Sequence, residues 1–167
     1  GAKIGKILGA RHGIQGILGR DYIDLRKPTA KKLEAIALTP SSALGSCRMK
    51  PTADDCRKIF EEFKRLDVGF FFYIGGNDSM DTVAKISKYA EKVDYDICVM
   101  GVPKTIDNDL VATDHTPGFG SAAKYVATTL TEIVRDCAVY TTKAVTIVEV
   151  MGRHAGYIAL WCGIACG

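Results

Sequence analysis

Between Val68 and Cys166 the chain alternates three times between an apolar run, a glycine- or acid-rich loop and a helical stripe. Strands that run parallel need a long crossover between them, and a helix in every repeat supplies it. The runs are Val68–Ile74 (V-G-F-F-F-Y-I), Asp96–Val102 (D-I-C-V-M-G-V) and Ala144–Val150 (A-V-T-I-V-E-V). Apolar stretches this continuous read as strands buried on both faces. Helical spacing places Cys56, Ile59, Phe60, Phe63 and Leu66 on one stripe, and Met80, Val83, Ala84, Ile86 and Ala90 on another within Ser79–Lys92. Further helices are expected over Gly118–Cys137 and His154–Cys166. The fold class is α/β: a doubly wound, mostly parallel sheet with helices on both faces.

Upstream, Lys3–Leu8 is a strand candidate, and Gly9–Gly19 gives loops with a turn of helix. Thr29–Leu38 is a short helix capped by Thr29. Thr39–Pro51 is a loop carrying Arg48, and Thr52-x-x-Asp55 opens the next helix with a capping box. At 167 residues one domain, 1–167, is the expectation. The net charge of +3 is too small and dispersed to indicate nucleic acid. The six cysteines form no C-x-x-C pair. They read as small hydrophobes in a reducing compartment, with Cys98 in a buried strand. A zinc site built on Cys162 and Cys166 lacks a second ligand pair of suitable spacing. The longest apolar stretch, Tyr157–Cys166, falls far short of the ~20 residues that span a bilayer. No signal peptide opens the chain, so the reading is a soluble, cytoplasmic protein without membrane or nucleic-acid partners.

Three loops follow the three runs, at the strand ends where open α/β sheets bind ligands. In Gly75-Gly76-Asn77-Asp78-Ser79 the glycines permit a sharp turn, and the helix start behind it favours an anion; an ordinary turn capped by Asp78 or Ser79 is the alternative. In Pro103-Lys104-Thr105-Ile106-Asp107-Asn108-Asp109, Pro103 ends the strand because it has no N–H to donate. Asp107 can take a proton from an attacking hydroxyl, and Lys104 suits a phosphoryl oxygen. Asp109, on the same side if the loop is extended, can orient Asp107 or hold Mg²⁺ through water. In Met151-Gly152-Arg153-His154 the Arg153 fork suits a phosphate or carboxylate, while His154 reads as a cap and Glu149 as a paired polar group. A glycine turn, paired acids and an arginine loop on one edge point to phosphoryl transfer.

These motifs, G-G-N-D-S at 75–79, P-K-T-I-D-N-D at 103–109 and M-G-R-H-A-G at 151–156, together with L-G-S-C-R at 44–48, resemble the 6-phosphofructokinase family over nearly the whole chain. The resemblance implies Mg²⁺-dependent phosphorylation of fructose 6-phosphate at its 1-hydroxyl. It makes Asp107 the catalytic base, Thr105, Ile106 and Asp107 the sugar-contacting segment, and Met151, Gly152 and Arg153 the grip on the sugar phosphate. Arg48 bridges the two phosphates, Gly75, Gly76 and Ser79 hold the donor, and Asn77 and Asp109 lie beside the metal.

Family members that use ATP carry glycine at the places of Asp78 and Lys104, whereas pyrophosphate users carry Asp and Lys. A carboxylate about 4 Å from an α-phosphate costs on the order of 4 kcal/mol at an effective dielectric near 20. Lys104 adds the charge compensation that pyrophosphate needs, so the resemblance implies pyrophosphate as donor. Asn77 departs from the family's metal-associated Asp. The family's N-terminal glycine-rich loop is missing, and the chain stops at Gly167, which reads as most of the donor-binding half of a phosphofructokinase: an incomplete fold, inactive alone and homo-oligomeric when whole. The alternatives are an ATP-dependent member and a non-catalytic regulatory subunit of the same fold.

Overall fold

Thr52 opens the best-formed helix of the chain in the manner its sequence requires. Its hydroxyl accepts from the Asp55 amide at 3.2 Å, and the Asp55 carboxylate accepts from the Thr52 amide at 2.9 Å. The helix ends at a left-handed Asp67. In the computed structural model, which describes residues 4–167, the elements run β1 Leu8–Ala10, α1 Ile14–Leu18, β2 Tyr22–Asp24, α2 Ala30–Leu38, α3 Ala53–Leu66 and β3 Phe70–Gly75. They continue as α4 Asn77–Lys92, β4 Cys98–Pro103, α5 Phe119–Cys137 and α6 Tyr157–Cys166. The chain divides into two units. The first runs to Tyr73 and resumes over Thr82–Met100; the second takes Ile74–Asp81 and Gly101–Gly167.

In the first unit, Ile59, Phe60 and Phe63 of α3 bury against Ile14 and Ile17 of α1, Phe71 of β3, and Ile86 and Ala90 of α4. Phe63 and Phe71 lie 5.2 Å apart between ring centroids, and Phe60 and Tyr89 lie 5.0 Å apart. On α4 the buried positions Thr82, Ile86 and Ala90 recur every fourth residue. β1 pairs antiparallel with β2, Leu8 opposite Asp24 and Ala10 opposite Tyr22. The expected strand Lys3–Leu8 is therefore displaced: Lys3 lies outside the described residues, and the ladder offered by Tyr22–Asp24 begins only at Leu8. Thr29 caps α2, accepting from the Lys32 amide at 3.2 Å.

β3 and β4 pair with one another in parallel. Gly69 O accepts from Cys98 N in the first unit, and Gly75 O accepts from Lys104 N at the same register offset in the second, both at 2.9 Å. Two expectations for these strands need correction. Read as buried on both faces, β3 has Phe71 in the first unit's core while Phe70 and Phe72 are more than half exposed. Cys98, read as buried, is likewise exposed. The expected strand Ala144–Val150 is irregular, with Val145 and Ile147 about nine-tenths exposed. Extended apolar sequence becomes a strand only when another strand pairs with it, and no described strand does.

In the second unit α5 and α6 pack through small residues. Cys162 Sγ lies 3.7 Å from Ala123 O and Cys166 Sγ 3.8 Å from Ala127 O, so both thiols serve as compact packing groups. Phe119, Ile158 and Cys162 form the buried centre there. All six cysteines are free thiols. No described helix is long and apolar enough to cross a membrane.

The charged flank of α3 holds a group the apolar stripe does not reveal. Glu62 is only 4% exposed and accepts from the Tyr22 hydroxyl at 3.1 Å and Arg65 Nε at 2.8 Å, with Arg20 Nε also at 3.1 Å. The Arg65 hydrogen bond holds its carboxyl below the ordinary range, while burial and then the Glu62 charge push the Tyr22 phenol up. Glu62→Ala is expected to reduce hydrogen-exchange protection of the β2 amides roughly 30-fold, or about 2 kcal/mol, because the Tyr22 hydroxyl loses its acceptor. A depressed carboxyl stabilises fully above its unfolded pKa and loses the effect as pH falls through the folded value. The gap between parent and variant is therefore expected to close below about pH 4.

Candidate active site

The turn after β3 closes tightly over Gly75. A β-carbon on Gly75 would lie 2.1 Å from Ser79 Oγ, so the hydroxyl of the first helical turn folds back over the strand end. The Gly76 carbonyl accepts from the Ser79 and Met80 amides, and α4 begins at Asn77, two residues before the expected start. Asp78 and Ser79 thus lie inside the first turn rather than capping it. That turn still favours negative charge, because its backbone dipoles align toward it.

Two bonds set this turn beside the acidic loop. Lys104 N donates to Gly75 O at 2.9 Å. Asn77 Nδ2 donates to Asp109 Oδ2 at 2.7 Å. The strand ends therefore place 75–79 and 104–109 side by side, as strand-end logic anticipated.

The loop is not extended between its two acids. Asn108 sits there with φ 56°, a conformation Asn tolerates better than most residues, and its amide is buried. Its Oδ1 accepts from Thr116 N at 2.8 Å, and its Nδ2 donates to Asp114 O at 3.0 Å. Buried Thr105 accepts the Asp107 amide on its hydroxyl at 3.0 Å, and its carbonyl takes the Thr116 hydroxyl at 2.5 Å. Thr105 also bridges Gly118, at the foot of α5. Asn108 and Thr116 are thus a staple that leaves Asp107 half-buried and Asp109 exposed. Sequence reasoning passed over both; the one available signal was an Asn between two acids.

The third loop shares an anchor with the second. Ile106 and Val150 both pack against Phe119, Ile158 and Cys162. Gly152 takes φ 145° and Arg153 φ 45°, so the chain turns sharply and leaves Arg153 exposed. His154 was expected to start the last helix but lies in the turn before it. Gly156, left-handed at φ 69°, caps α6 instead, and right-handed helical geometry cannot run through it. Arg48 belongs to the first unit, exposed in an irregular segment after Gly45.

For a divalent cation the second unit offers hard oxygen donors: the Asp107 and Asp109 carboxylates and Asn77 Oδ1, the amide nitrogen of Asn77 being engaged by Asp109. This suits Mg²⁺, which takes one or two carboxylates and completes its shell with water and phosphate oxygens. No cluster of three or more His, Cys, Asp or Glu able to hold an ion occurs among the described residues.

Residues 2–167 match the family model described as phosphofructokinase. The chain belongs to the phosphofructokinase family. A Rhodospirillum rubrum protein named pyrophosphate–fructose 6-phosphate 1-phosphotransferase is 49% identical over 91% of this chain and 37% of its own length. A Xanthomonas campestris protein of the same name is 47% identical over 96% of this chain and 40% of its own length. The crystal structure of a pyrophosphate-dependent phosphofructokinase from Nitrosospira multiformis superposes with a TM-score of 0.91 at 46% identity, covering 98% of this chain and 42% of that one. A Pichia pastoris phosphofructokinase, 20% identical, shares the fold at a TM-score of 0.82 over 96% of this chain and 17% of its own. The fold is thus the α/β phosphofructokinase fold, and the chain spans about two fifths of the length of the curated relatives it matches.

Proposed function

We propose that the full-length protein containing this chain transfers a phosphoryl group from pyrophosphate to the 1-hydroxyl of fructose 6-phosphate. The products are fructose 1,6-bisphosphate and phosphate, in a near-reversible reaction. The observation that carries this reading is the pairing of the Gly75–Ser79 turn with the Lys104–Asp109 loop, with Asp78 in one and Lys104 in the other. It agrees with the names of relatives 43–49% identical to this chain.

In this reading Asp107 accepts the proton of the attacking hydroxyl, held by the Thr105 hydroxyl through its backbone amide. Thr105 and Ile106 line the sugar, and Met151, Gly152 and Arg153 bind its 6-phosphate, Arg153 through its planar fork. Gly75, Gly76 and Ser79 receive the donor at the start of α4. Lys104 neutralises its terminal oxygens, and Arg48 bridges donor and acceptor phosphates. Asp78 excludes the additional phosphate of a nucleotide donor. Asn77 and Asp109 would hold Mg²⁺, which when bound spreads the negative charge of the phosphoryl oxygens. The protein acts in the cytoplasm as a homo-oligomer.

The test is a rate measurement on the full-length protein with each donor in turn. Fructose 1,6-bisphosphate is expected from pyrophosphate at a kcat/KM at least about 100-fold above that with ATP, the discrimination that close like charges supply. Robust turnover with ATP alone would sink the donor assignment. A regulatory subunit of the same fold is favoured by one feature, the neutral Asn77, and predicts no turnover with either donor.

A further inference from the structure

Thr116 stands where a helix cap is expected and does not cap. In a Thr-Pro pair before a helix, the threonine is suited to the cap and the proline to the first helical position. Here α5 begins only at Phe119, Gly118 at φ 100° takes the cap position, and no side chain caps the helix. Thr116 gives α5 its carbonyl, which accepts from Phe119 N at 3.1 Å. Its other two polar groups turn to the acidic loop. The hydroxyl donates to Thr105 O at 2.5 Å, and the amide donates to Asn108 Oδ1 at 2.8 Å.

Thr105, Asn108 and Thr116 are each less than a tenth exposed. They satisfy one another away from water, where an unmatched hydroxyl or carbonyl is costly. The two Thr116 bonds grip residues 105 and 108, on either side of Ile106 and Asp107. At the far end of that span Asn108 holds φ 56°, a conformation that a released chain seldom adopts. Packing closes the same span from another side. A β-carbon on Gly118 would lie 3.2 Å from Ile106 Cγ2, and Ile106 packs against buried Phe119. All of these residues belong to the second unit.

We propose that Thr116 is a positioning residue for the segment Thr105–Asp107: by clamping both ends of the span it holds the segment in its binding conformation before fructose 6-phosphate arrives. This rests on the reading of Thr105–Asp107 as the segment that contacts the sugar. Thr116, 3% exposed, acts through that backbone rather than on the ligand. A site that must first form its binding conformation has an apparent affinity reduced by the fraction of molecules that hold it. Losing one buried hydrogen bond is enough to bring that fraction from near one to about a tenth.

The experiment is calorimetric titration of the full-length protein with fructose 6-phosphate in the absence of pyrophosphate, beside hydrogen exchange of the free protein. Thr116→Val keeps the shape and the amide and removes the hydroxyl. It is expected to raise the sugar Kd about tenfold at unchanged stoichiometry. Protection of the amides between Thr105 and Asp109 should fall by a similar factor while α5 and α6 keep theirs. Thr116→Ser retains the hydroxyl and is expected to bind within about twofold of the parent. Asn108→Gly tolerates the positive φ but removes the acceptor of the Thr116 amide. Combined with Thr116→Val it is expected to cost less than the product of the two single losses, since both release the same span. A Thr116→Val protein with parental Kd overturns the proposal and leaves the sugar reading standing. So does a loss of protection spread over the whole second unit, which would make Thr116 a general packing residue, and so do two single losses that simply multiply. A parent protein that binds no fructose 6-phosphate overturns the reading of the segment and the proposal with it.

Discussion

Asp107→Asn in the full-length protein is expected to lower pyrophosphate-dependent kcat by about 10³-fold, within the range that positioned general bases contribute. Asparagine has nearly the same shape and keeps the backbone amide that donates to the Thr105 hydroxyl at 3.0 Å. The fold of the loop rests on buried Asn108 and Thr116, which the substitution leaves in place. The loss should therefore fall on the chemical step, with the fructose 6-phosphate KM within a few-fold of the parent and the melting temperature little changed. Initial-rate kinetics and a thermal melt of both proteins separate these effects. A variant with parental kcat removes Asp107 as the base. A parent active before the substitution and nearly silent after it excludes the regulatory-subunit reading that Asn77 favours.

The fold was legible where its determinants are local. Thr52 and Asp55 announce their capping box within four residues of sequence, and Thr29 announces the start of α2 in the same way. Val68–Ile74 and Asp96–Val102 were read as strands within two residues of β3 and β4, since Gly75-Gly76 and Pro103 punctuate their ends. What failed is non-local. Ala144–Val150 carries the composition of a strand, but pairing depends on a partner distant in sequence. Cys98, Phe70 and Phe72 share the apolar signature of Phe71, and nothing in a continuous apolar run says which face a helix will cover. Glu62 is hidden for the opposite reason. Its charge reads as solvent-facing, yet Tyr22 and two arginines satisfy it in place.

At the candidate site, the glycine turn and the loop with the paired acids stand at the ends of β3 and β4, where local signals put them, whereas the third loop follows no described strand. How the loops are held was not legible. The bond from Asn77 to Asp109 joins residues of separate motifs. The staple from Asn108 to Thr116 depends on a left-handed backbone that sequence does not declare. Assuming an extended loop put Asp107 and Asp109 on the same side, whereas the chain turns between them at Asn108. Residues proposed for chemistry are thus easier to read than those that hold them, since a proposed role constrains residue type more tightly than a support does.

Replacing both Asp78 and Lys104 by glycine is expected to transfer donor preference from pyrophosphate to ATP. Asp78 lies in the first turn of α4, where an incoming α-phosphate meets its charge; removing a repulsion of about 4 kcal/mol corresponds to roughly 10³-fold in kcat/KM with ATP. Losing Lys104 acts on the other donor, since pyrophosphate has no nucleoside to anchor it and relies on cations around its oxygens. The bond from residue 104 to Gly75 O is main-chain, so Lys104→Gly leaves it in place. Glycine within α4 costs about 1 kcal/mol of helix stability, which a thermal melt of each variant measures separately. The single variants divide the effect: Asp78→Gly should open ATP use while retaining pyrophosphate, and Lys104→Gly should weaken pyrophosphate without admitting ATP. If the double variant keeps parental pyrophosphate kinetics and gains no ATP turnover, charge at these two positions does not select the donor. Selection would then lie in the room available to a nucleoside beyond these two positions.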